Sequence, residues 1–442
     1  MKRTFVILLL MLLMLFPSCI RKKAATDYVA ISLCHWENPE GTKLLEELVA
    51  GFEKRHPDIR VKLIQVTGGG GEIPKLLSMI AGGTPPDVFY ITYPYFPTFV
   101  KKGVLLNLSP HIEKSEEIRI EDFFPLAIDS YRYNGEVIGE GDIYGICKDF
   151  SPDNCILYNK DLFDRDGLEY PDETWAWEDF LKAAKKLTKR DESGRTEQFG
   201  TWMPHMNDLL ILANGGKIFS SDGKKCIVDT PEAVEAMEFG VSLETEHRVT
   251  PSPTERIDQD AIQLFQMGKV AMTFCSRYAI PATKLDKNKN IRWAVGPVPR
   301  FEGRERVYLC YSATGYAISA ATRHKKEAWA LFEFLLGEEG QSVLARSGWN
   351  IPASRKVAYS EAFLSNPEHP TGLNKIFLEQ VPYTQMRNVN PNIPTEEFHR
   401  IWGRYEELVY LRKISVGEAL ESIVEETNKV IETNLSKDKY GG

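Results

Sequence analysis

The chain has 442 residues, 43% apolar and 26% charged, with a formal net charge of −8. Single cores rarely grow beyond about 250–300 residues, so two to three domains are expected. The acidic balance argues against a nucleic-acid partner, which favours basic stripes.

The N-terminus reads as an address. Met1, Lys2 and Arg3 form a short basic start, residues 5–16 are an unbroken apolar run, and Pro17, Ser18 and Cys19 follow. Basic, apolar and small-residue regions in that order mark an export signal. The run is shorter than the roughly 20 residues that span a bilayer. Ser18 before Cys19 resembles the lipobox of bacterial lipoproteins, although Phe16 stands where that motif usually has Leu. The resemblance implies that residues 1–19 are a signal and that Cys19 is lipidated, anchoring the chain to the membrane. Arg21, Lys22 and Lys23 then read as a short solvated linker.

Strands and helices alternate after it. Residues 28–34 form an apolar strand, 43–55 a helix stopped by Pro57, and 60–66 a second strand. Residues 73–81 are helical, a Gly-Gly-Thr-Pro-Pro turn follows, and 87–91 are a third strand. This alternation predicts βαβ units and a parallel sheet. Further on, 121–131 are helical, and 143–147 and 154–158 are strands. Thr174 is placed to cap a helix running through Leu187. Helices are expected at 209–213, from Pro231, and at 261–267, with strands at 270–274 and 293–298. Residues 308–319 are mostly extended, and helices close the chain at 325–336, 339–347, 402–411 and 416–435.

Chemical motifs are thin. Gly68–Gly71 lacks the Lys and Ser/Thr of a phosphate loop. No nucleophile elbow and no zinc-protease helix is present, while plentiful Glu/Asp pairs leave a two-carboxylate glycosidase open. Six cysteines remain beyond Cys19: Cys34, Cys147, Cys155, Cys226, Cys275 and Cys310. Several lie inside apolar runs, where a free Cys behaves as a small core residue; 15 full pairings stay open for an exported chain. Trp175 and Trp177, at a helix start, read as packing residues, and Asp87 as a structural carboxylate at a strand start.

Six short patterns occur in order. They are Phe52-Glu53-Lys54-Arg55-His56-Pro57; Ala81-Gly82-Gly83-Thr84-Pro85-Pro86-Asp87-Val88; Tyr158-Asn159-Lys160-Asp161-Leu162-Phe163; Thr174-Trp175-Ala176-Trp177-Glu178-Asp179-Phe180; Gly268-Lys269-Val270-Ala271-Met272; and Ala328-Trp329-Ala330 with Gly337-Glu338-Glu339-Gly340-Gln341. Together they resemble the family 1 extracellular solute-binding proteins of ABC importers, relatives of the maltose- and glycerol-3-phosphate-binding proteins. The resemblance covers nearly all of the mature chain. It implies a two-lobed α/β, periplasmic-binding-protein-like fold, each lobe a mostly parallel sheet flanked by helices. One lobe is expected at 27–146 plus 312–349, the other at 147–309 plus 352–442. Crossings are expected near 144–148, 308–313 and 349–353.

The resemblance also implies a function. A carbohydrate is captured in the cleft and delivered to the permease of an ABC importer, with no catalytic residue, metal or cofactor, from a monomer outside the cytoplasm. Glycerol phosphate or another polyol phosphate is the alternative ligand, and an exported carbohydrate-active enzyme a more remote one. Ligand contacts are expected from both lobes, because a ligand favours closure only through contacts made better in the closed state. Trp36, Glu37 and Asn38 follow the first strand, and Thr92, Tyr93 and Tyr95 the third. Asp149 follows a crossing strand, and His205 and Asn207 precede a helix. Tyr278 stands where many relatives carry a sugar-stacking Trp, with Ser276 in place of their Gly. Gly315, Tyr316 and Arg387 complete the set.

Overall fold

The computed structural model describes residues 28–66, 71–203, 206–252, 255, 260–311, 313–365 and 370–440. The signal, Cys19, the basic triplet, Gly68, Gly69, Gly70 and His205 lie outside the described residues.

The strands in chain order are β1 (Val29–His35), β2 (Ile59–Gln65), β3 (Val88–Thr92), β4 (Ile146–Phe150) and β5 (Cys155–Asn159). Then come β6 (Lys189–Arg190), β7 (Thr196–Trp202), β8 (Val270–Cys275), β9 (Trp293–Gly296) and β10 (Tyr308–Cys310). β11 (Thr314–Ile318), β12 (Ile351–Pro352) and β13 (Thr384–Met386) complete the set used below.

Two sheets divide the molecule. The first has the order β12-β4-β11-β3-β1-β2 and the second β9-β5-β8-β7-β6. Unalternating apolar sequence goes to the middle of each. The first four residues of β3 are buried, as are all of β5 and β8, as expected for strands covered on both faces.

Helix Pro39–Arg55 packs on the first sheet through Leu45, Leu48 and Phe52, whose spacing puts them on one face. The Asn38 side chain starts this helix by accepting the Gly41 N–H at 2.8 Å. Asp87 takes the structural role expected of it. One oxygen accepts both the N–H and the hydroxyl of Ser32 at 2.8 Å, and the other accepts the Thr322 hydroxyl. In the second lobe Trp177 is fully buried among Phe180, Phe239, Phe274 and Phe301. The six described cysteines are buried, and none of them is in a disulfide.

Three sequence expectations are corrected. The sheets are mixed rather than mostly parallel. In the first, β1 runs parallel to β2 and β3 while the other pairings are antiparallel. In the second, only β7 and β8 are parallel. The reason is the crossings: β11 re-enters the first sheet from the second lobe and runs against both β3 and β4. Residues 147–150, expected in the second lobe, are hydrogen-bonded into the first sheet as β4, and Pro352 sits beside them in β12. Finally, the helix assigned to a Thr174 cap begins at Trp177, with Ala176 at the cap position. The Thr174 hydroxyl is spent on Asp172 at 2.6 Å, and the Asp179 carboxylate accepts the Ala176 N–H instead.

Candidate functional site

A cavity of about 700 Å³ opens between the two sheets. The first lobe contributes the residues after β1, the end of β2, and side chains of β3, β4 and the start of β11. The second contributes Ser276 and Tyr278 after β8, and Ser151 and Asp153 from the connection after β4. Strand ends that face a cleft are where α/β sheets commonly bind ligands.

The first-lobe wall is an ionic cluster. The Lys148 ammonium lies 2.6 Å from Asp149 Oδ2 and 3.3 Å from Glu37 Oε1. The Tyr90 hydroxyl donates to the same Glu37 oxygen at 2.9 Å, and Asn350 Nδ2 donates to Asp149 Oδ1 at 3.2 Å. Burial opposes the charge on Lys148, but Asp149 and Glu37 outweigh it and raise its pKa. Burial likewise pushes Glu37 up, and Lys148 with the Tyr90 hydroxyl more than offsets it, so its carboxyl titrates below its ordinary value. Lys148 and Glu37 are therefore both held in their charged forms.

Glycine makes room for this cluster. A Cβ added at Gly41 would lie 2.5 Å from Glu37 Oε2. The carboxylate thus sits over the first turn of helix Pro39–Arg55, where free N–H groups and the helix dipole favour an anion.

Aromatic faces complete the cavity. Trp36 meets Tyr90 edge to face, with centroids 5.3 Å apart. Across the opening Tyr278, 43% exposed, meets Trp349 edge to face at 5.5 Å. Trp349 follows Gly348, which ends helix Glu338–Ser347 in the left-handed region at φ 64°. That turn, easy for glycine, swings the indole onto the cavity. Flat faces beside hydrogen-bonding groups suit a ligand with both C–H and hydroxyl surfaces.

The family model described as bacterial extracellular solute-binding protein matches residues 37–342. The chain belongs to this family. The galactooligosaccharide-binding protein of Bacillus subtilis is 23% identical over 391 residues, spanning 87% of this chain and 84% of its own. An ABC substrate-binding protein from Listeria monocytogenes, solved in complex with cycloalternan, aligns with a TM-score of 0.77 at 27% identity. That alignment covers 92% of this chain and all of the other. Maltose-bound MalE3 of T. maritima aligns with a TM-score of 0.71 at 21% identity, over 90% and 98% of the two chains. The two-lobed architecture of these solute-binding proteins is the architecture found here.

Of the expected contacts, Trp36, Glu37, Asn38, Asp149 and Tyr278 meet in the cavity. Others lie elsewhere. Thr92 pairs with Thr314, and it is Thr314 that faces the cavity rather than Gly315 or Tyr316. Gly315 packs its backbone against Tyr131 and the Ile146 carbonyl, and Tyr316 is buried behind Tyr90. Tyr93 is buried, its N–H bonded to the Ala313 carbonyl. Asn207 is buried and donates to Glu406 at 2.5 Å.

Tyr95 and Arg387 belong to a separate polar group. There Arg387 lies over the Tyr311 ring at 5.2 Å and contacts His399, and the Tyr311 hydroxyl donates to Asp208 at 3.1 Å. The charge of Arg387 also reaches Tyr95.

Lys148, Trp349, Asn350 and Asp153 were not singled out from the sequence. Lys148, Trp349 and Asn350 fell inside the expected crossings, the one signal that pointed at them.

No helix among the described residues is long and apolar enough to cross a membrane. None of the described His, Cys, Asp and Glu side chains cluster in a way that would hold a metal ion.

Proposed function

We propose that the protein captures an uncharged carbohydrate in the interlobe cavity and delivers it to the permease of an ABC importer. The observation that carries this reading is the pairing of aromatic faces, Trp36, Tyr278 and Trp349, with fixed hydrogen-bonding groups, Glu37, Asp149 and Asn350, in one cavity. Its volume suits a sugar of a few rings and lies within the usual range of ligand pockets, about 300–1,000 Å³. The carbohydrates named for the Bacillus, Listeria and T. maritima relatives support the same class.

A phosphate ligand is disfavoured by charge. Lys148 is the cation among the described lining residues, and two carboxylates already hold it. Arg277 is buried, with Nε donating to Asn374 at 2.6 Å, and Arg387 stands outside the cavity. An anion would therefore meet net negative charge.

In this reading the protein is a monomer and no bond of the sugar is broken. Cys19 carries a lipid that holds the receptor at the outer face of the membrane. The lobes divide near 150, 310–313 and 352, a division supported by the sheet membership of β4, β10, β11 and β12.

Thermal denaturation with mono-, di- and trisaccharides and with glycerol phosphates tests the proposal. A sugar at about 100 times its dissociation constant adds roughly 2.7 kcal/mol to stability. We expect one sugar class to stabilise without product formation, and glycerol phosphate to leave the transition unmoved. Stabilisation by glycerol phosphate alone, or release of aglycone from an aryl glycoside, would replace this reading.

A further inference from the structure

Asp153 lies in the short connection between β4 of the first sheet and β5 of the second. Its side chain lines the cavity together with Ser151 and Tyr278. The same residue binds a second interlobe connection. Its N–H donates to the Leu309 carbonyl at 2.9 Å, and its Oδ2 accepts the Tyr311 N–H at 2.7 Å. Beside it, Asn154 Oδ1 accepts the Leu309 N–H at 3.0 Å. Leu309 and Tyr311 flank the end of β10, where the chain is about to re-enter the first sheet as β11. One residue therefore touches the ligand space and ties together two of the passages between lobes.

We propose that Asp153 is a ligand-contacting positioning residue, which as a carboxylate accepts hydroxyl hydrogen bonds from the bound sugar while fixing the backbone at Tyr311. This rests on the carbohydrate reading above and deepens it. A carboxylate suits both tasks, because its two oxygens offer several acceptor sites and charge-assisted hydrogen bonds are the stronger ones. Contact with the sugar at one oxygen is then coupled to the position of a passage between lobes at the other.

Burial acts strongly on this carboxyl. Burial pushes it up to about 7, opposed by the Tyr311 N–H and the Ser151 hydroxyl. On β4, Lys148 is committed to Glu37 and Asp149. On β5 and β8, burial pushes the Cys155 and Cys275 thiols up, so they stay neutral. After β8, Arg277 is turned onto Asn374, and burial raises the Tyr278 phenol. After β10, the Tyr311 hydroxyl is given to Asp208, and burial raises it as well. Binding that uses the carboxylate must strengthen as pH rises.

The test is isothermal titration of the purified protein with maltose, maltotriose and a galactooligosaccharide at pH 5.5 and 8.5, for wild type and Asp153→Asn. We expect wild type to bind one of these about tenfold more tightly at pH 8.5, as when a ligand lowers one carboxyl pKa by about one unit. Asp153→Asn should bind that sugar weakly and equally at both pH values. Tight binding by Asp153→Asn, or a variant that keeps the wild-type pH dependence, overturns the inference and leaves the carbohydrate reading standing. Failure of wild type to bind any of the three sugars overturns both. Should Asp153→Asn not fold, the wild-type profile decides alone: constant or weakening affinity from pH 5.5 to 8.5 overturns the role given to the carboxylate.

Discussion

The two walls of the cavity are built on different principles. The first-lobe wall is locked: Lys148 holds Glu37 and Asp149, Tyr90 and Asn350 fill further lone pairs, and Gly41 lets the Glu37 carboxylate sit on a helix end. The opposite wall has no ionic cluster among its described residues. Tyr278 is half-exposed just before a four-residue helix and meets Trp349 edge to face, and Asp153 is tied to backbone rather than to a counter-ion. The difference separates two tasks. A wall whose hydrogen-bond directions are fixed before the ligand arrives supplies specificity at little ordering cost. The other wall presents an aromatic face whose contacts are few. Burying three charges together is costly unless every partner is present, so the locked wall also makes the fold vulnerable at one residue.

The largest expected effect tests that vulnerability. Lys148→Met keeps the volume of the side chain but leaves two carboxylates facing each other without a cation. Removing one partner of a buried ionic cluster costs about 3–5 kcal/mol. Urea unfolding at pH 7 measures it. A loss below about 1 kcal/mol would mean that the locked wall is open to water, and the contrast between the walls would vanish.

On the opposite wall the next largest effect is pH dependence. The Asp153 carboxyl moves from an ordinary 3.8 to about 7 in the folded chain. A raised carboxyl pKa means that the folded state holds the proton more tightly than the unfolded one. Its contribution is thus full below about pH 4, is lost as pH rises towards 7, and stays lost above. At 1.36 kcal/mol per unit, the change is about 4 kcal/mol at most. Asp153→Asn should flatten the stability profile between pH 4 and 7. Superimposable profiles for variant and wild type would place the carboxyl in water.

Gly41→Ala returns to the locked wall with a smaller perturbation. The new methyl displaces Glu37 Oε2 from the helix end, and such overpacking costs about 1–3 kcal/mol. Sugar affinity should fall with it, because Glu37 loses its alignment to Tyr90 and Lys148. An unchanged affinity would show that Glu37 supports the wall without contacting the ligand.

The sequence made these two walls unequally legible. Long apolar runs and caps marked the strands and helices closely: β1, β2, β3, β5 and β8 each fall within two residues of their expected ends. Strand direction was not legible, since the strands of this fold that cross between lobes carry no sign of which way they re-enter. Trp36, Glu37 and Tyr278 line the cavity, and each follows a strand end. Gly315 and Tyr316 do not line it, since one-residue differences of register decide whether a strand side chain faces the cleft or the core, and Asn207, on a helix, is bound to Glu406. Thr314 takes the cavity face and Gly315 the core face on that account alone. Lys148 and Asp153 stayed hidden because their roles are set by partners far away in sequence, Glu37 for one and Tyr311 for the other.

The smallest expected effect is the sharpest separation of stability from binding. Tyr278 is half-exposed and stands outside both sheets, so Tyr278→Ala should change stability by no more than about 0.5 kcal/mol. Its ring is nonetheless the apolar face that the second lobe presents to a ligand. Losing an aromatic contact of this kind costs about 0.5–1.5 kcal/mol, up to roughly tenfold in affinity. Tyr278→Trp should keep or tighten binding, since a larger face at the same place stacks on more of a sugar ring. Isothermal titration with the sugar selected by thermal denaturation reads both. If Tyr278→Ala instead loses stability and keeps its affinity, the ring is part of the frame, and both walls are locked.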